Sequence, residues 1–197
     1  MKGFLIGVGV VVGLGILLVL YYMGAYNGLV GKQEAVNNSW AQVQTQYQRR
    51  GDLVPQLVAT VKGVANFEKS TLTAVVEARA KVGTMQINKD IVDNPQAMKK
   101  FDEAQGQLTG ALSRLMVVVE KYPELKATSN FSELQSQLEG TENRIAVARR
   151  DFNATVQDYN VGIRTMPTSI IANMSGFRPK AYFEAAAGNE KAPEVKF

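Results

Sequence analysis

From Gly3 to Met23 the chain carries no charged residue. A helix over that stretch, rising 1.5 Å per residue, is about 31 Å long, close to the thickness of a bilayer core. A cleaved signal peptide has a shorter apolar region followed by small residues at the cut. Here the run ends in Tyr21, Tyr22 and Met23, side chains suited to a membrane interface. Residues 1–24 therefore read as an uncleaved, single-pass transmembrane anchor whose first partner is the lipid bilayer. Gly3/Gly7 and Gly9/Gly13 have the spacing that lets two such helices approach closely, although glycine, as at Gly15, is also common in membrane helices with no pairing role. Lys2 flanks one side, and Lys32, offset by Glu34, the other. That difference does not fix the side on which the rest of the chain lies.

Beyond Met23, apolar residues recur at steps of three and four. The longest stripe runs through Phe131, Leu134, Leu138, Thr141, Ile145, Ala148, Phe152, Val156, Tyr159, Ile163 and Met166, and predicts one long helix. Asn130 with Glu133 three residues later reads as its capping box, and Pro167 as its end. A second stripe, Met98, Phe101, Gln105, Leu108, Leu112, Leu115, Val119 and Tyr122, follows the cap Asn94 and Pro95 and is closed by Pro123. A third comprises Leu29, Gln33, Val36, Trp40, Val43, Tyr47, Arg50, Val54, Leu57 and Val61, continuing less regularly through Leu72 and Val75. Pro55 lies inside it and predicts a kink or a break, so residues 26–82 read as one bent helix or as two. Strand patterns are almost absent. The fold class is all-α: an N-terminal transmembrane helix followed by an elongated antiparallel helical bundle over residues 25–184, with coiled-coil-like packing and polar connections at 83–94 and 123–130. Ser169–Met174 reads as a short amphipathic piece leading to Gly176 and the aromatics Phe177, Tyr182 and Phe183. Residues 185–197 read as a flexible C-terminal tail.

The composition removes most catalytic chemistry. With no Cys and no His, the chain has no disulfide, thiol nucleophile, Cys/His zinc site, Ser-His-Asp triad or histidine proton shuttle. The 22 basic residues exceed the 18 acidic ones by too little, spread over too long a chain, to suggest nucleic acid as a partner. No phosphate-cradling glycine loop is present, since the glycines of 3–15 lie in the apolar run.

Three strings carry a resemblance to a known family. They are RRGDLVPQLVATVKGV from Arg49, followed by Phe67-Glu68, Thr71-Leu72 and Ala78-Arg79; KYPELKATSNFSELQSQLEGTENRI from Lys121; and RRDFN from Arg149 with Tyr159-Asn160 and Met166-Pro167. Over about Tyr26 to Phe183 the chain resembles the LemA family. The resemblance implies a membrane-anchored bacterial protein, placed in the cell's inner membrane, with a long helical bundle and no established catalytic activity. It supplies no catalytic residue. The family often has His before the Glu where this chain has Phe67 before Glu68, so a metal or proton role built on that His is absent here.

Asp52, Glu68 and Arg79 fall on or beside the first stripe, where buried charges need partners. Interhelical pairing with Arg49, Arg50, Arg149 or Arg150 is expected in preference to catalysis. Glu139 and Glu142 share a helix face and could in principle hold a cation, but a carboxylate-bridged site also needs Glu-x-x-His pairs, so a solvated acidic face is expected. Arg49-Arg50 and Arg149-Arg150 would form a basic patch only if the bundle brought them together. Trp40, Tyr47, Phe152 and Tyr159 are expected in the core or in contacts between subunits. No catalytic, cofactor-binding or metal residue is assigned, no cofactor is implied, and the protein is read as no enzyme. The leading function is a membrane-anchored scaffold whose bundle binds other membrane or membrane-associated proteins and copies of itself. The alternative is a membrane-bound binding protein holding a small ligand or peptide in an interhelical cleft.

Overall fold

The computed structural model describes residues 2–64, 67–85 and 89–184. Among the described residues six α-helices follow one another: α1 (Lys2–Lys62), α2 (Lys69–Gly83), α3 (Pro95–Val119), α4 (Pro123–Lys126), α5 (Ser129–Gly162) and α6 (Thr168–Met174), with a 3-10 turn at Lys89–Asp93 before α3. No strand occurs among the described residues. The apolar run and the first bundle helix are a single helix of 61 residues, about 92 Å long. Its side chains are exposed up to Gly24, and the first buried one is Leu29.

Pro55 does not break α1. A proline removes the amide that would bond the carbonyl four residues back, here that of Gly51. In this fold the guanidinium Nε of Arg79, on α2, donates to the Gly51 carbonyl oxygen at 3.1 Å. The freed acceptor is thereby satisfied by a neighbouring helix. The chain leaves the helix only after Lys62, so residues 26–82 form two helices, with the break away from the proline.

Four helices alternate in direction. α1 runs outward from its apolar end and α5 returns beside it, with Lys32 paired to Asp158 and Arg50 to Glu142. α2 returns along α1 and α3, where Lys81 bonds Gln107. α3 runs outward again, its Phe101 edge-on to Tyr47 at 5.2 Å. The core divides into an outer cluster containing Leu53, Leu57, Val75, Leu108, Leu115 and Phe131, and an inner one built on Trp40, Phe101, Phe152 and Tyr159. α2 has only 15 residues against 25 in α3 and reaches along the outer half alone. The inner half is closed instead by Ile91 and Val92 of the 3-10 turn and by Ala181 and Phe183 of the C-terminal segment.

The three stripes face the core. On α5 every predicted position is buried or half-buried up to Ile163, while Met166, beyond the helix, is 68% exposed. Asn94 caps α3, its side chain accepting from the amides of Gln96 and Ala97. The capping box at Asn130 does not form. α5 begins at Ser129, and Glu133 instead accepts from Gln137 on its own helix. Thr128 holds the cap position, but its hydroxyl turns back to the carbonyl of Leu125, at the end of α4, and caps no amide of α5. α5 stops at Gly162, ahead of Pro167. A Cβ at 162 would lie 3.2 Å from the Lys32 side chain, so glycine permits the closest approach of α5 to α1.

After α6, Gly176 adopts a left-handed conformation (φ 77°) that reverses the chain. Residues 177–184 then run extended along α5, held by two asparagine amides. Asn160 donates to the Lys180 carbonyl and accepts from the Lys180 amide, at 2.9 and 2.8 Å. Asn153 does the same with Phe183, at 2.9 Å in both directions. The Ala181 amide bonds Val92, and the Tyr159 hydroxyl donates to the Arg178 carbonyl. The tail expected at 185–197 lies outside the described residues.

Asn160 is 1% exposed, and its truncation leaves both backbone groups of Lys180 without partners. Asn160→Ala is expected to cost about 2–3 kcal/mol, read as a lower urea midpoint. It should also speed trypsin cleavage after Lys180 relative to the parent chain, since Arg178 precedes Pro179 and is a poor site.

Candidate functional site

Arg50 is 1% exposed at the junction of the two core clusters. It stands on the apolar stripe of α1 between Tyr47 and Leu53, so the helix period itself drives it inward. One terminal nitrogen, Nη1, donates to Glu142 Oε1 and to Thr109 Oγ1, both at 2.8 Å. The other, Nη2, bonds the Gln105 side-chain oxygen and lies 3.5 Å from the Gln105 carbonyl. The guanidinium carbon sits 5.1 Å from the Tyr47 ring centroid. One cation thus joins α1, α3 and α5. Among the described residues, Arg50 Nε and Gln105 Nε2 are buried without partners, so this polar layer is not fully satisfied.

A second cation lies one layer inward. Arg149 forms a forked pair with Asp102, at 2.7 Å and 3.2 Å, and stacks 4.3 Å from the Phe183 ring. Burial pushes the Tyr47 phenol above its usual value of 10.0, against the opposing pull of Arg149 and Arg50. Burial, with the Asp93 carboxylate, also raises Tyr159. Neither phenol is tuned toward proton transfer near neutral pH.

The pairing expected for Asp52, Glu68 and Arg79 is not the one that forms. Asp52 and Glu68 face solvent, and Glu68 accepts from Ser70. Arg79 serves the Gly51 carbonyl. The arginines named as their partners go elsewhere: Arg50 to Glu142, Arg149 to Asp102, Arg150 to Asp151. Glu139 and Glu142 do not converge, since Glu139 accepts from Gln135 while Glu142 turns to Arg50. The two arginine pairs are not one basic patch, because Arg50 and Arg149 are drawn inward while Arg49 and Arg150 stay exposed. Trp40, Tyr47, Phe152 and Tyr159 are all buried within the chain, Trp40 packing against Phe101, Phe152 and Phe183. Phe67, where the family often has His, packs on Tyr122 at 4.9 Å.

Sequence reasoning missed Asp102, Asn153 and Asn160 as structural contacts. The signal available for the asparagines was their spacing of seven along α5, two turns apart on one face. A cleft of about 460 Å³ opens between α1, α2 and α3, lined by Tyr47, Gly51, Asp52, Arg79 and Gln105 among others. A larger one, about 710 Å³, separates α2 from α3 and is walled by Glu77, Lys81, Glu103 and Arg114.

Removing Glu142 strands a buried guanidinium, whereas replacing both partners by apolar groups does not. Glu142→Ala is expected to destabilise the bundle by roughly 3 kcal/mol, and Arg50→Met with Glu142→Leu by clearly less, measured by urea unfolding. The folded chain keeps the Tyr47 and Tyr159 protons to higher pH than the unfolded chain. Their stabilising contribution is therefore whole below about pH 10 and is lost as pH rises through the folded values. Unfolding midpoints across the alkaline range should fall accordingly, and Tyr47→Phe with Tyr159→Phe should flatten that fall.

The model described as "LemA family" matches residues 39–197, which include Arg50, Arg79, Arg149 and both clasping asparagines. "Magnetosome protein MamQ" of Magnetospirillum gryphiswaldense is 29% identical over 181 residues, covering 83% of this chain and 66% of that protein. "Magnetosome protein MamQ 2" of Paramagnetospirillum magneticum is 27% identical over 175 residues, covering 81% and 64%. "Protein LemA" of Metamycoplasma hominis is 25% identical over 166 residues, covering 84% and 71%. The chain spans just under two thirds of the length of these MamQ proteins. With the family match running over most of its length, this chain belongs to the LemA family.

Proposed function

We propose that the protein is a non-catalytic scaffold, anchored in the bacterial inner membrane by one pass of α1, whose bundle binds other proteins and further copies of itself. The observation that carries this reading is the continuity of α1 from its apolar end into the bundle core. An uninterrupted helix transmits orientation, so partners on the bundle meet a surface held at a fixed angle to the membrane. The buried cations support a structural role, because Arg50 and Arg149 are committed to pairs within the chain. At Gly3, Gly7, Gly9 and Gly13 an added Cβ would meet nothing within 4 Å, so no other part of this chain covers the two close-approach pairs, Gly3/Gly7 and Gly9/Gly13, which face different sides of α1.

A second reading is a binding protein for a small ligand or peptide. The cleft between α1, α2 and α3 favours it, because the buried and unpartnered Gln105 amide borders the same space as Tyr47 and Arg79. A bound ligand would raise the unfolding temperature with the logarithm of its concentration above its Kd, and Arg79→Ala would lower that response.

Two measurements test the leading reading. A chain lacking residues 1–23 should be soluble and strongly helical by circular dichroism. The full-length protein, extracted in mild detergent, should scatter light as a multiple of 21.5 kDa after subtraction of the detergent, and Gly3→Leu with Gly7→Leu should shift it toward the single-chain mass. A single-chain mass for the parent protein at every concentration, with no crosslinked multimers in membranes, would rule out self-assembly.

A further inference from the structure

α6 is the innermost part of the bundle. The Ser175 hydroxyl, one residue past its end, lies 3.3 Å from the Tyr22 hydroxyl. Phe177 then packs edge-on to Tyr26 at 5.7 Å, and Tyr26 stacks on Tyr22 at 6.2 Å. The chain therefore descends along α1 to the level of Tyr22, where the strongly apolar run ends, before Gly176 turns it back. Ile171 and Ala172 of α6 are buried. On another side Met166, Ile170 and Met174, spaced four apart, are 68%, 52% and 77% exposed. Ile170 and Met174, one turn apart on α6, make an apolar edge, and Met166 lies exposed just ahead of the helix, before Pro167. Elsewhere on the bundle the large exposed hydrophobics are mostly single residues, such as Val76 on α2, Val117 on α3 and Val147 on α5.

The charges at this end have a matching arrangement. Lys32 is paired with Asp158 and Lys180 with Asp93. Arg164 and Arg178 are exposed and take part in none of the described ion pairs, and Arg164 Nε rests on the Asn160 carbonyl of its own helix end. Two free guanidinium groups thus flank an apolar edge at the depth where an aromatic cluster marks the end of the span. Interfacial helices combine these parts: apolar side chains toward the acyl region, arginines toward phosphates.

We propose that α6 is a second membrane contact, its Ile170 and Met174 edge, with Met166 just ahead of it, lying in the interface of the same bilayer that α1 crosses, and with Arg164 and Arg178 on lipid phosphates. This rests on the anchor reading of α1. The bilayer is the occupant because α6 reaches the level of Tyr22, where a spanning α1 meets lipid headgroups whether or not a second copy is near. The contact would hold the bundle against the membrane at a second point and fix its tilt.

The absence of cysteine makes the test direct. Single Ile170→Cys, Met174→Cys, Ile16→Cys and Val117→Cys variants of the full-length chain are labelled with an environment-sensitive fluorophore. They are then placed in vesicles of phosphatidylethanolamine and phosphatidylglycerol with brominated acyl chains. All four positions are exposed within the chain, so the fold tolerates the label. The expected result is lipid quenching at 16, 170 and 174, none at 117, and iodide quenching at 117 alone. Quenching at 16 but not at 170 or 174 leaves the anchor standing and overturns the α6 contact. Protection of 170 and 174 from both quenchers would mean that another copy covers the edge, and also overturns it. Failure of quenching at 16 removes the anchor reading and the α6 contact with it.

Discussion

A guanidinium almost sealed from water at the centre of a helical bundle dictates how the helices around it can pack. Arg50 reaches Glu142 on α5 and both Gln105 and Thr109 on α3, so three helices are placed in register by one side chain. A slip of α3 by one turn would move Gln105 and Thr109 away from the two guanidinium nitrogens they now serve. Breaking a buried charge's contacts costs about 3–5 kcal/mol, a large part of the margin that separates a folded chain from an unfolded one. The layer therefore works less by adding net stability than by making the alternatives unfavourable, which is the best-attested use of a buried ion pair. The hydrophobic clusters on either side supply the driving force, and being apolar they would tolerate several registers on their own.

The same division of labour recurs where α1 meets α2. Pro55 would weaken a long helix at its midpoint, and Arg79 restores the missing contact to Gly51 from outside. Part of the string that carries the family resemblance, Arg49 to Pro55 with Arg79, thus serves as a repair across two helices, and the exposed Asp52 within it has no share in the core. Arg149 extends the logic inward: its pair with Asp102 joins α5 to α3, and its stack on Phe183 seats the C-terminal segment where α2 is too short to reach.

What was legible in the sequence was whatever followed a period. The stripes through Phe131, Phe101 and Trp40 gave the helices and their buried faces, because burial of an apolar stripe is set by the geometry of a single helix. What was hidden depended on two elements at once. Arg50 sits visibly on an apolar stripe, but its partner Glu142 lies off the stripe of α5, where a carboxylate looks like a solvated one. Asn153 and Asn160 read as ordinary polar positions, since nothing local says that residues 180–183 return to meet them. The capping box at Asn130 failed for a related reason: the pattern was present, but α4 had already fixed Thr128 at the turn.

The inner end shows how these parts combine. An anchor joined to a domain by a flexible linker leaves the domain free to tumble, and weak contacts between neighbours are then diluted over many orientations. Here the helix does not stop between its apolar run and the core, Gly162 lets α5 close on it at Leu29, and the segment after Gly176 is clasped back along α5. The joint between anchor and bundle is therefore braced by three separate stretches of chain. On the proposed reading, with copies side by side in one bilayer, such a brace would fix orientation and leave the density of copies in the membrane to set the effective concentration of one bundle surface for another. Shallow surfaces carrying isolated valines would then need no large apolar patch to associate, whereas the same bundle free in solution would.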